Sequence, residues 1–591
     1  QGSPALRAAF FIETAVTQPT PAIVPQSAVR RLPRLALWLF CAAYVLPGLF
    51  GREPWKGNEF TAFGHMLALA QGASDWFNPQ IWGQSPELDA LLPYWLGAWA
   101  IQFAPDWMSA GLASRLPYAL LLGLTLASTW HGVYYLALSP QAQPVPFAFG
   151  GEAKPKDYAR TIADGAVLAL IACLGLTLLS HETSPILAQL AFVSCAFYGI
   201  AALPYHPRYS LSALGVGLLG LCLSGAPSFA VLMAVGSGLL CLLDRESTSV
   251  HTGRLHALWL LLMAAVVAIL ASLLEVWHWR LIPVHQDWTT WRSLMKLLTW
   301  FTWPAWPLAL WTLWRWRRQW TSLHWSRHLV LPMWFTALTV STALLTQSAE
   351  QTLLLALPAL ATLAAFALPT LRRSVAALID WFTLIFFSGC AFVIWVIWIA
   401  MQTGWPSQPA ANVKRLFPGF EPSFEWLTLV IALLATLTWI WLVVWRTAKH
   451  RHALWKSMVL PAGGAALCWL LLLTLWLPLV DFARSYKPWV EQIQTTMAKQ
   501  DANAVAHVCL LSHGLGVGQM TAFHYHGGFT VKTVEMTPKE EQRPCPWLLV
   551  DNDVRPELAH WVDLNDWLRV RTIRRPSDDN EDVTLYYRRK P

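Results

Sequence analysis

The sequence predicts a polytopic α-helical membrane protein with about thirteen membrane-spanning helices and a C-terminal soluble α/β domain. Hydrophobic residues make up 55% of the 591 residues and charged residues only 13%, about half of the fraction usual in soluble proteins. Long apolar runs recur over residues 30–480, whereas residues 481–591 carry short strand-like runs. This composition excludes a disordered chain, a coiled coil and a small disulfide scaffold.

Thirteen segments are apolar enough to be predicted as membrane spans, since a helix needs about 20 mostly apolar residues to cross the hydrocarbon core. They lie near residues 35–50, 115–138, 161–180, 186–203, 209–223, 229–243, 255–274, 297–314, 329–346, 352–371, 375–400, 427–445 and 457–479. The first span lacks a small-residue cleavage site and is predicted to be a retained anchor. Residues 1–29, rich in Pro and Ala, are predicted to be disordered.

The distribution of Lys and Arg predicts the orientation of the bundle. With the N-terminus in the cytoplasm, the basic clusters at 30–34, 154–160, 315–327 and 446–456 all fall on the cytoplasmic side. The apolar stretch 91–103 is too short to span and is predicted to lie at the membrane interface. An odd number of spans then places the C-terminal domain outside. Basic loops of this kind explain the net charge of +8, so nucleic acid is not an expected partner.

The C-terminal domain, residues 481–591, is predicted to contain five strands and three helices. The strand-like runs are 505–511, 529–536, 546–551, 567–573 and 583–588, and the helical candidates are 487–500, 516–526 and 556–564. Cys509 and Cys545 would form a disulfide bond if this domain is periplasmic. The glycines at 514–518 lack dinucleotide-loop spacing and the histidines lack zinc-ligand spacing, so no cofactor and no metal ion are indicated.

The long outer loop 51–114 concentrates charged residues at the edge of the membrane. Glu53 and Glu59 lie close in sequence to Arg52 and Lys56. A carboxylate at such a place serves as a general base for an acceptor hydroxyl or as a metal ligand, and the cations suit a phosphate group. The alternative interpretation is a solvated loop that anchors the protein among lipid headgroups.

Further polar candidates are predicted on the same outer face. They are Asp75 in the first loop, Arg115 at the start of the second span, His181 and Glu182 in one tight turn, and Glu350 in another. The outer loop 275–296, with His278, Arg280, His285 and Asp287, has the composition either of a mobile lid or of an interfacial Trp-rich loop. Transporters usually carry ionisable residues near the membrane midplane, and none is clearly placed there, which favours an active site at the outer face.

Several short motifs occur in an order that resembles a known family. The matching positions are Glu59, Asp75, Trp76 and Pro79 in the first loop, Pro93, Tyr94 and Trp95 in the short helix, Arg115, Leu116 and Pro117 at the second span, and Glu182 after the third. This combination resembles the GT-C membrane glycosyltransferases, especially the aminoarabinose transferase and protein O-mannosyltransferase superfamily, over about residues 35–480. Asn58 and Asp89 depart from the family pattern, which has Asp and Lys at these positions.

The resemblance implies that a sugar passes from a polyprenyl-phosphate donor to a lipid or protein acceptor, at the outer face of a bacterial inner membrane. Lipid A modification is one such reaction. It implies Glu59 as the general base and Glu182 in support. Residues expected to bind the donor phosphate are Arg52, Lys56 and Arg115, and the other expected substrate contacts are Asn58, Asp75, Tyr94, His181 and Glu350.

Two other functions stay open at this point. A flippase or exporter of a lipid-linked saccharide would share the bundle but would need a functional ionisable group buried in it. An oligosaccharide polymerase or ligase would need a basic pocket in its large outer loop for a diphosphate carrier. The domain organisation is therefore predicted as a disordered segment 1–29, a transferase domain 30–480 and a periplasmic α/β domain 481–591.

Overall fold

The structure is a computed structural model that describes residues 20–86, 88–243, 250–277, 287–321, 326–346, 348–447, 453–500, 508–576 and 581–589. It is mostly helical, and its five-stranded sheet lies in the C-terminal region. The prediction of a helical membrane protein with a C-terminal α/β domain is thus confirmed. His278, Arg280 and His285 of the predicted lid or interfacial loop lie outside the described residues.

The helices of the first half follow the predicted apolar segments, with two additional helices in the first outer loop. They are α1 (Arg34–Val45), α2 (Asn58–Ala70), α3 (Leu92–Gln102), α4 (Ala110–Ala137), α5 (Pro155–Ala172), α6 (Leu174–Leu179), α7 (Pro185–Ala202), α8 (Pro207–Leu223), α9 (Pro227–Leu243) and α10 (Val250–Leu273). The stretch predicted to lie at the interface therefore forms a separate short helix, α3.

The second half continues in the same way. Its helices are α11 (Trp288–Phe301), α12 (Ala305–Arg315), α13 (Arg317–Trp320), α14 (Arg327–Leu345), α15 (Ala349–Leu354), α16 (Leu357–Ala365), α17 (Arg373–Thr403), α18 (Ser407–Leu416), α19 (Trp426–Thr447), α20 (Lys456–Leu475) and α21 (Leu477–Arg484). Each of the thirteen predicted spans coincides with one helix or with a pair of helices separated by a break.

By length and composition, eight of the described helices are long and apolar enough to cross a membrane. They are α4, α7, α10, α14, the interrupted stretch Ala349–Thr370, α17, α19 and α20. The helices α1, α8 and α9 are apolar but shorter. The number of thirteen spans therefore stays a prediction.

Two of the helix breaks are joined by a backbone hydrogen bond. The chain leaves the helical path at Cys173, between α5 and α6, and again at 302–304, between α11 and α12. The N–H of Leu174 donates to the carbonyl oxygen of Trp303 at 3.1 Å. Because an unpaired backbone group in lipid costs several kcal/mol, non-helical backbone needs a protein partner of this kind.

The helices α7 and α8 pack backbone against backbone. A Cβ atom added at Gly217 would lie 2.6 Å from the backbone nitrogen of Ala196, and one at Gly199 would lie 2.8 Å from that of Leu214. Small residues permit such close approach between membrane helices, where dispersion contacts replace the hydrophobic effect as the main attraction. The helix α7 also lines the cavity described below.

The prediction that residues 1–29 are disordered is wrong for residues 20–29, whereas residues 1–19 lie outside the described ranges. Ala22 and Val24 are fully buried. Their carbonyl oxygens accept hydrogen bonds from Val145, at 2.9 Å, and from Ala153, at 3.0 Å. The composition of this segment is typical of disorder, but the loop between α4 and α5 supplies backbone partners for it.

The C-terminal domain contains one sheet with the strand order β2-β1-β3-β5-β4. The strands are β1 (Cys509–His513), β2 (Thr530–Thr533), β3 (Trp547–Asp551), β4 (Trp567–Arg574) and β5 (Asp582–Arg588), and the helices are α22 (Lys487–Gln500), α23 (Val517–Gly527) and α24 (Lys539–Gln542). The strands β2, β1 and β3 are parallel, whereas β5 and β4 pair antiparallel. The helical candidate 556–564 is instead a 3-10 helix, Arg555–His560. Cys509 and Cys545 form a disulfide bond.

The first outer loop and the C-terminal domain share a hydrophobic core. Phe60 and Phe63 of α2 are fully buried and pack in one cluster with Trp489 of α22 and Phe523 of α23. The rings of Phe60 and Tyr486 meet edge to face, with centroids 5.4 Å apart. The helix that carries Glu59 is therefore held by the C-terminal domain on one side and by the membrane bundle on the other.

The close contact between α7 and α8 leads to a stability prediction with a matched control. Gly217→Ala should lower the thermal unfolding midpoint in detergent, because overpacking costs about 1–3 kcal/mol. Gly215→Ala, in the same helix, meets nothing within 4 Å. It should leave the midpoint unchanged or raise it slightly, because alanine favours helix over glycine by about 0.5–1 kcal/mol. Equal midpoints for the two variants would contradict the close packing.

Candidate active site

A buried ion pair joins the first outer loop to the first turn of α2. Arg52 donates to Glu59 through Nη1 to Oε2 at 2.7 Å and through Nη2 to Oε1 at 2.9 Å. Both side chains are only 1% exposed. The backbone N–H of Trp55 and the hydroxyl of Thr183 also donate to this carboxylate, at 3.2 Å and 3.1 Å.

The local sequence explains why Glu59 sits at this point. Gly57 has a φ of 89°, which glycine adopts without the strain that a Cβ atom would bring, and the chain turns there into α2. Glu59 therefore falls in the first turn, where the helix dipole stabilises a negative charge. Burial alone would raise the pKa of Glu59, but Arg52 and the hydrogen bonds outweigh burial and hold the pKa below its usual value.

Arg52 uses every nitrogen of its guanidinium to tie three segments together. Besides Glu59, it donates from Nε to the carbonyl oxygen of Gly48 at 2.7 Å and from Nη2 to that of His181 at 2.8 Å. Its guanidinium carbon lies 4.3 Å from the ring centroid of Trp55. The pair therefore fixes the end of the first span, the first outer loop and the turn 180–184 relative to one another.

The turn 180–184 places a second carboxylate near the first. Glu182 is 12% exposed, and its Oε1 lies 3.7 Å from Nη2 of Arg484. Burial, and after it the nearby charge of Glu59, raise the pKa of Glu182 to about 7 against the opposing charges of Arg484 and Arg52. The two carboxyl groups thus differ in protonation behaviour although they belong to one cluster.

His181 is an anchor of the same turn. Its Nδ1 lies 2.7 Å from the carbonyl oxygen of Thr177, and its Nε2 lies 2.8 Å from that of Tyr44. Burial lowers the pKa of His181 to about 4, so the ring is neutral at physiological pH. The indole of Trp469 approaches Nε2 at 3.1 Å. A neutral ring that accepts from Trp469 at Nε2 carries its proton on Nδ1 and donates it to Thr177, so His181 supports the turn.

The short helix α21, which follows the last helix long enough to cross a membrane, completes the cluster. Asp481, in α21, accepts a hydrogen bond from the N–H of Glu53 at 2.9 Å and another from the indole of Trp55 at 3.1 Å. The carbonyl oxygen of Arg484 accepts from the N–H of Lys56 at 2.8 Å. Burial raises the pKa of Asp481. The segment 481–484 therefore holds the first outer loop through three hydrogen bonds.

The expected phosphate-binding cations are largely engaged with protein groups. Arg115 donates to the carbonyl oxygens of Leu49, at 2.9 Å, and Arg52, at 2.5 Å, and it is 4% exposed. The Nζ of Lys56 lies 3.8 Å from Glu581 of the C-terminal domain. Arg52 is committed to Glu59 as described above. In the described part of the chain, these three side chains therefore serve first to hold the loop together.

A cavity of about 770 Å³ lies beside the carboxylates, between α2, α7, α9, α14 and α15. Its polar lining includes Asn58, Thr61, Tyr94, Ser184, Gln189 and Gln351, and its apolar lining includes Phe229, Leu232, Leu338 and Leu345. Asn58 and Ser184 are the chain neighbours of Glu59 and Thr183. The cavity therefore joins a polar end, next to the ion pair, to an apolar part inside the bundle.

Two of the predicted site residues lie apart from this cluster. Asp75 is exposed beyond the far end of α2, where its carboxylate accepts from the N–H of Phe77 at 2.9 Å and shapes a turn. Glu350 is exposed in α15, whose next residue, Gln351, lines the cavity. The structure brings together Arg52, Lys56, Asn58, Glu59, Tyr94, Arg115, His181 and Glu182.

Sequence reasoning missed Thr183, Asp481 and Arg484. Thr183 follows His181 and Glu182 directly in sequence, and its uncharged hydroxyl gives no signal of its own. Asp481 and Arg484 directly follow the last predicted span on the side assigned to the outer face. That position is the one signal that points to them, since charged side chains at the outer end of a span can reach a site there.

The ion pair leads to a second stability prediction. Arg52→Gln should lower stability by about 3–5 kcal/mol, because it leaves the Glu59 carboxylate buried without a counter-charge. The matched control is Arg31→Gln: Arg31 pairs with Asp157 at 2.8 Å but is 63% exposed. That change should cost about 0–1 kcal/mol. Thermal unfolding in detergent gives the order of the variants.

A double variant and a pH series complete this test. Arg52→Gln with Glu59→Gln should be less destabilised than Arg52→Gln alone, because no unpaired charge remains. The pKa of Glu59 is held low in the folded state. Its contribution to stability is therefore present above the unfolded value, about 4.3, and is lost as pH falls through the folded pKa. A double variant less stable than the single variant would contradict the ion-pair interpretation.

Comparison with known proteins identifies the fold. No protein-family model and no curated protein matches the chain. Two crystal structures of ArnT from Cupriavidus metallidurans do match, each over 93% of this chain and 96% of the other. The apo structure has a TM-score of 0.56 at 15% identity, and the structure bound to undecaprenyl phosphate has 0.53 at 14%. The chain thus has the fold of ArnT, an aminoarabinose transferase and GT-C glycosyltransferase, as the sequence motifs predicted.

Proposed function

We propose that the protein transfers a sugar from a polyprenyl-phosphate donor to the hydroxyl of a lipid or protein acceptor. The observation that carries the proposal is the pair of carboxylates, Glu59 and Glu182, with opposite pKa shifts beside a cavity of about 770 Å³. Pairs of titratable groups whose environments push their pKa values apart are typical of acid–base sites. The shared fold supports the same reaction class, because one ArnT structure holds undecaprenyl phosphate.

The geometry favours Glu182 as the general base and Glu59 as its organiser, the reverse of the assignment drawn from the motifs. Both oxygens of Glu59 accept hydrogen bonds from Arg52, and its low pKa makes it a weak proton acceptor. Glu182, with a pKa of about 7, is matched to proton transfer near neutral pH.

The reaction then proceeds in one displacement. The carboxylate of Glu182 takes the proton of the acceptor hydroxyl, and the acceptor oxygen forms a bond to the anomeric carbon. The bond from that carbon to the donor phosphate breaks, and the polyprenyl phosphate leaves with the electron pair. The proposal includes no metal ion, and assays with and without EDTA test that part.

Arg484 is the cation that we assign to the donor phosphate. It lies 3.7 Å from Glu182 and 5.0 Å from the ring centroid of Trp55, and its side chain is 31% exposed. Among the described residues, its guanidinium donates no hydrogen bond to another protein group. A guanidinium fork with its donors available suits the oxygens of a phosphate.

The two parts of the cavity suit the two parts of such a donor. Amide and hydroxyl groups of Asn58, Ser184 and Gln351 can bind sugar hydroxyls, while Phe229 and Leu338 contact apolar chain. The disulfide between Cys509 and Cys545 supports a periplasmic place for the C-terminal domain, since such bonds persist in oxidising compartments. We therefore place the reaction at the outer face of a bacterial inner membrane, with the N-terminus cytoplasmic.

The test is a sugar-transfer assay in liposomes, with a mixture of polyprenyl-phosphate sugars and a cell-envelope lipid extract, read by mass spectrometry. Wild type should form a new glycolipid, and Glu182→Gln should lower the rate by roughly 10²–10⁴-fold. Glu421→Gln, at an exposed site between α18 and α19, is the matched control and should retain the wild-type rate. No product from folded wild type with any donor would contradict the proposal and favour a flippase or exporter.

The pH profile makes a separate prediction. Because Glu182 must be ionised to accept the proton, kcat/KM should rise with pH through an apparent pKa of about 7 and level off above it. Glu59→Gln should move this limb to lower pH, because it removes the negative charge that raises the pKa of Glu182. A limb that Glu59→Gln leaves in place would contradict the assignment of Glu182 as the base.

A further inference from the structure

A buried arginine is one of the links between the C-terminal domain and the carboxylate cluster. Arg575 follows β4 and is 2% exposed. It donates from Nη1 to Glu581 at 2.6 Å and from Nη2 to the carbonyl oxygen of Ala483 at 2.6 Å. Its guanidinium also lies 5.0 Å from the ring centroid of Tyr486, whose hydroxyl donates to Glu581 at 3.2 Å.

Arg575 contacts the segment 481–486, and other groups of this segment contact the carboxylate cluster. Asp481 and the carbonyl oxygen of Arg484 hold the first outer loop. The side chain of Arg484 faces Glu182. Ala483, whose carbonyl oxygen accepts the hydrogen bond from Arg575, thus lies in sequence between Asp481 and Arg484, the two residues whose side chains contact the cluster.

We propose that Arg575 is a positioning residue, through which the C-terminal domain holds Arg484 against the base Glu182. The inference rests on the proposed transferase function and adds a role for the α/β domain to it. A guanidinium that is buried and doubly hydrogen-bonded resists displacement, because moving it would leave its charge unpaired in a desolvated place. The domain thereby works as a rigid support for the site.

An exposed arginine close to Arg575 in sequence offers a comparison. Arg571, on the strand β4, is exposed, whereas Arg575 is buried. The two arginines have the same charge and lie four residues apart, so exchanging either for glutamine changes the net charge equally. Arg571→Gln is therefore a matched control for Arg575→Gln.

The charge environment of Glu182 provides the readout. The charged groups that act on it come from four elements: Glu59 of α2, Arg52 of the first loop, Arg484 of α21 and Glu350 of α15. Among these four charged residues, only Arg484 belongs to the segment 481–486 that Arg575 contacts. Displacement of Arg484 removes a positive charge from beside the carboxylate, and this raises the pH at which Glu182 ionises.

The experiment measures the pH dependence of kcat/KM for sugar transfer in four proteins: wild type, Arg575→Gln, Arg484→Gln and the double variant. Arg484→Gln should move the acid limb to higher pH by about one unit, and Arg575→Gln should move it in the same direction by about half a unit. The double variant should match Arg484→Gln, because Arg575 acts through Arg484. Arg571→Gln should keep the wild-type profile.

Three results would overturn the inference. They are an unshifted profile for Arg575→Gln with wild-type kcat, additive shifts in the double variant, and an equal shift in Arg571→Gln. If Arg575→Gln does not fold, Glu581→Gln serves instead, since it keeps the size of the side chain that holds Arg575. Its shift should have the same direction.

Hydrogen–deuterium exchange separates this inference from the proposed function. Peptides over 51–57 and 480–487 should lose protection in Arg575→Gln and keep it in Arg571→Gln. If wild type transfers no sugar, the proposed function fails, and the exchange data alone decide whether the domain holds the cluster. If transfer occurs but exchange and pH profile are unchanged in Arg575→Gln, the inference fails and the proposed function stands.

Discussion

The buried ion pair between Arg52 and Glu59 is the interaction on which the rest of the outer face depends. Each carboxylate oxygen and each guanidinium nitrogen of the pair has a partner in the protein. Such a pair is stable only when every polar atom is satisfied, because desolvation of the two charges opposes their attraction. The first loop, the end of the first span and the turn 180–184 must therefore all be in place together.

The same burial separates the roles of two similar side chains. Glu59 has a full set of donors, and these stabilise its charged form more than burial destabilises it. Burial raises the pKa of Glu182 and the charge of Glu59 adds to the rise, while Arg484, at 3.7 Å, opposes both without a short hydrogen bond. The two glutamates thus acquire different pKa values from their surroundings, and the charge of Glu59 helps to raise the pKa of Glu182.

Several parts of the molecule complete each other through packing and hydrogen bonds. Phe60 and Phe63 of the first outer loop complete the core of the C-terminal domain, and Leu174 and Trp303 pair the backbone of two broken helices. Arg575 extends this pattern from the domain to the short helix α21. A site assembled from such distant segments requires the bundle and the α/β domain to fold as one unit.

The sequence by itself determined the apolar helices, the five strands and the candidates Arg52, Glu59 and Glu182, because hydropathy, strand alternation and short motifs are local properties of the chain. Only the tertiary structure decided which carboxylate pairs with which cation. Asp481 lies 428 residues from Glu53, and Thr183 lies 124 residues from Glu59. Burial and pairing depend on distances between such remote segments, and no local pattern encodes those distances. For the same reason the composition of residues 20–29 predicts disorder, whereas hydrogen bonds from a loop more than a hundred residues away order this segment.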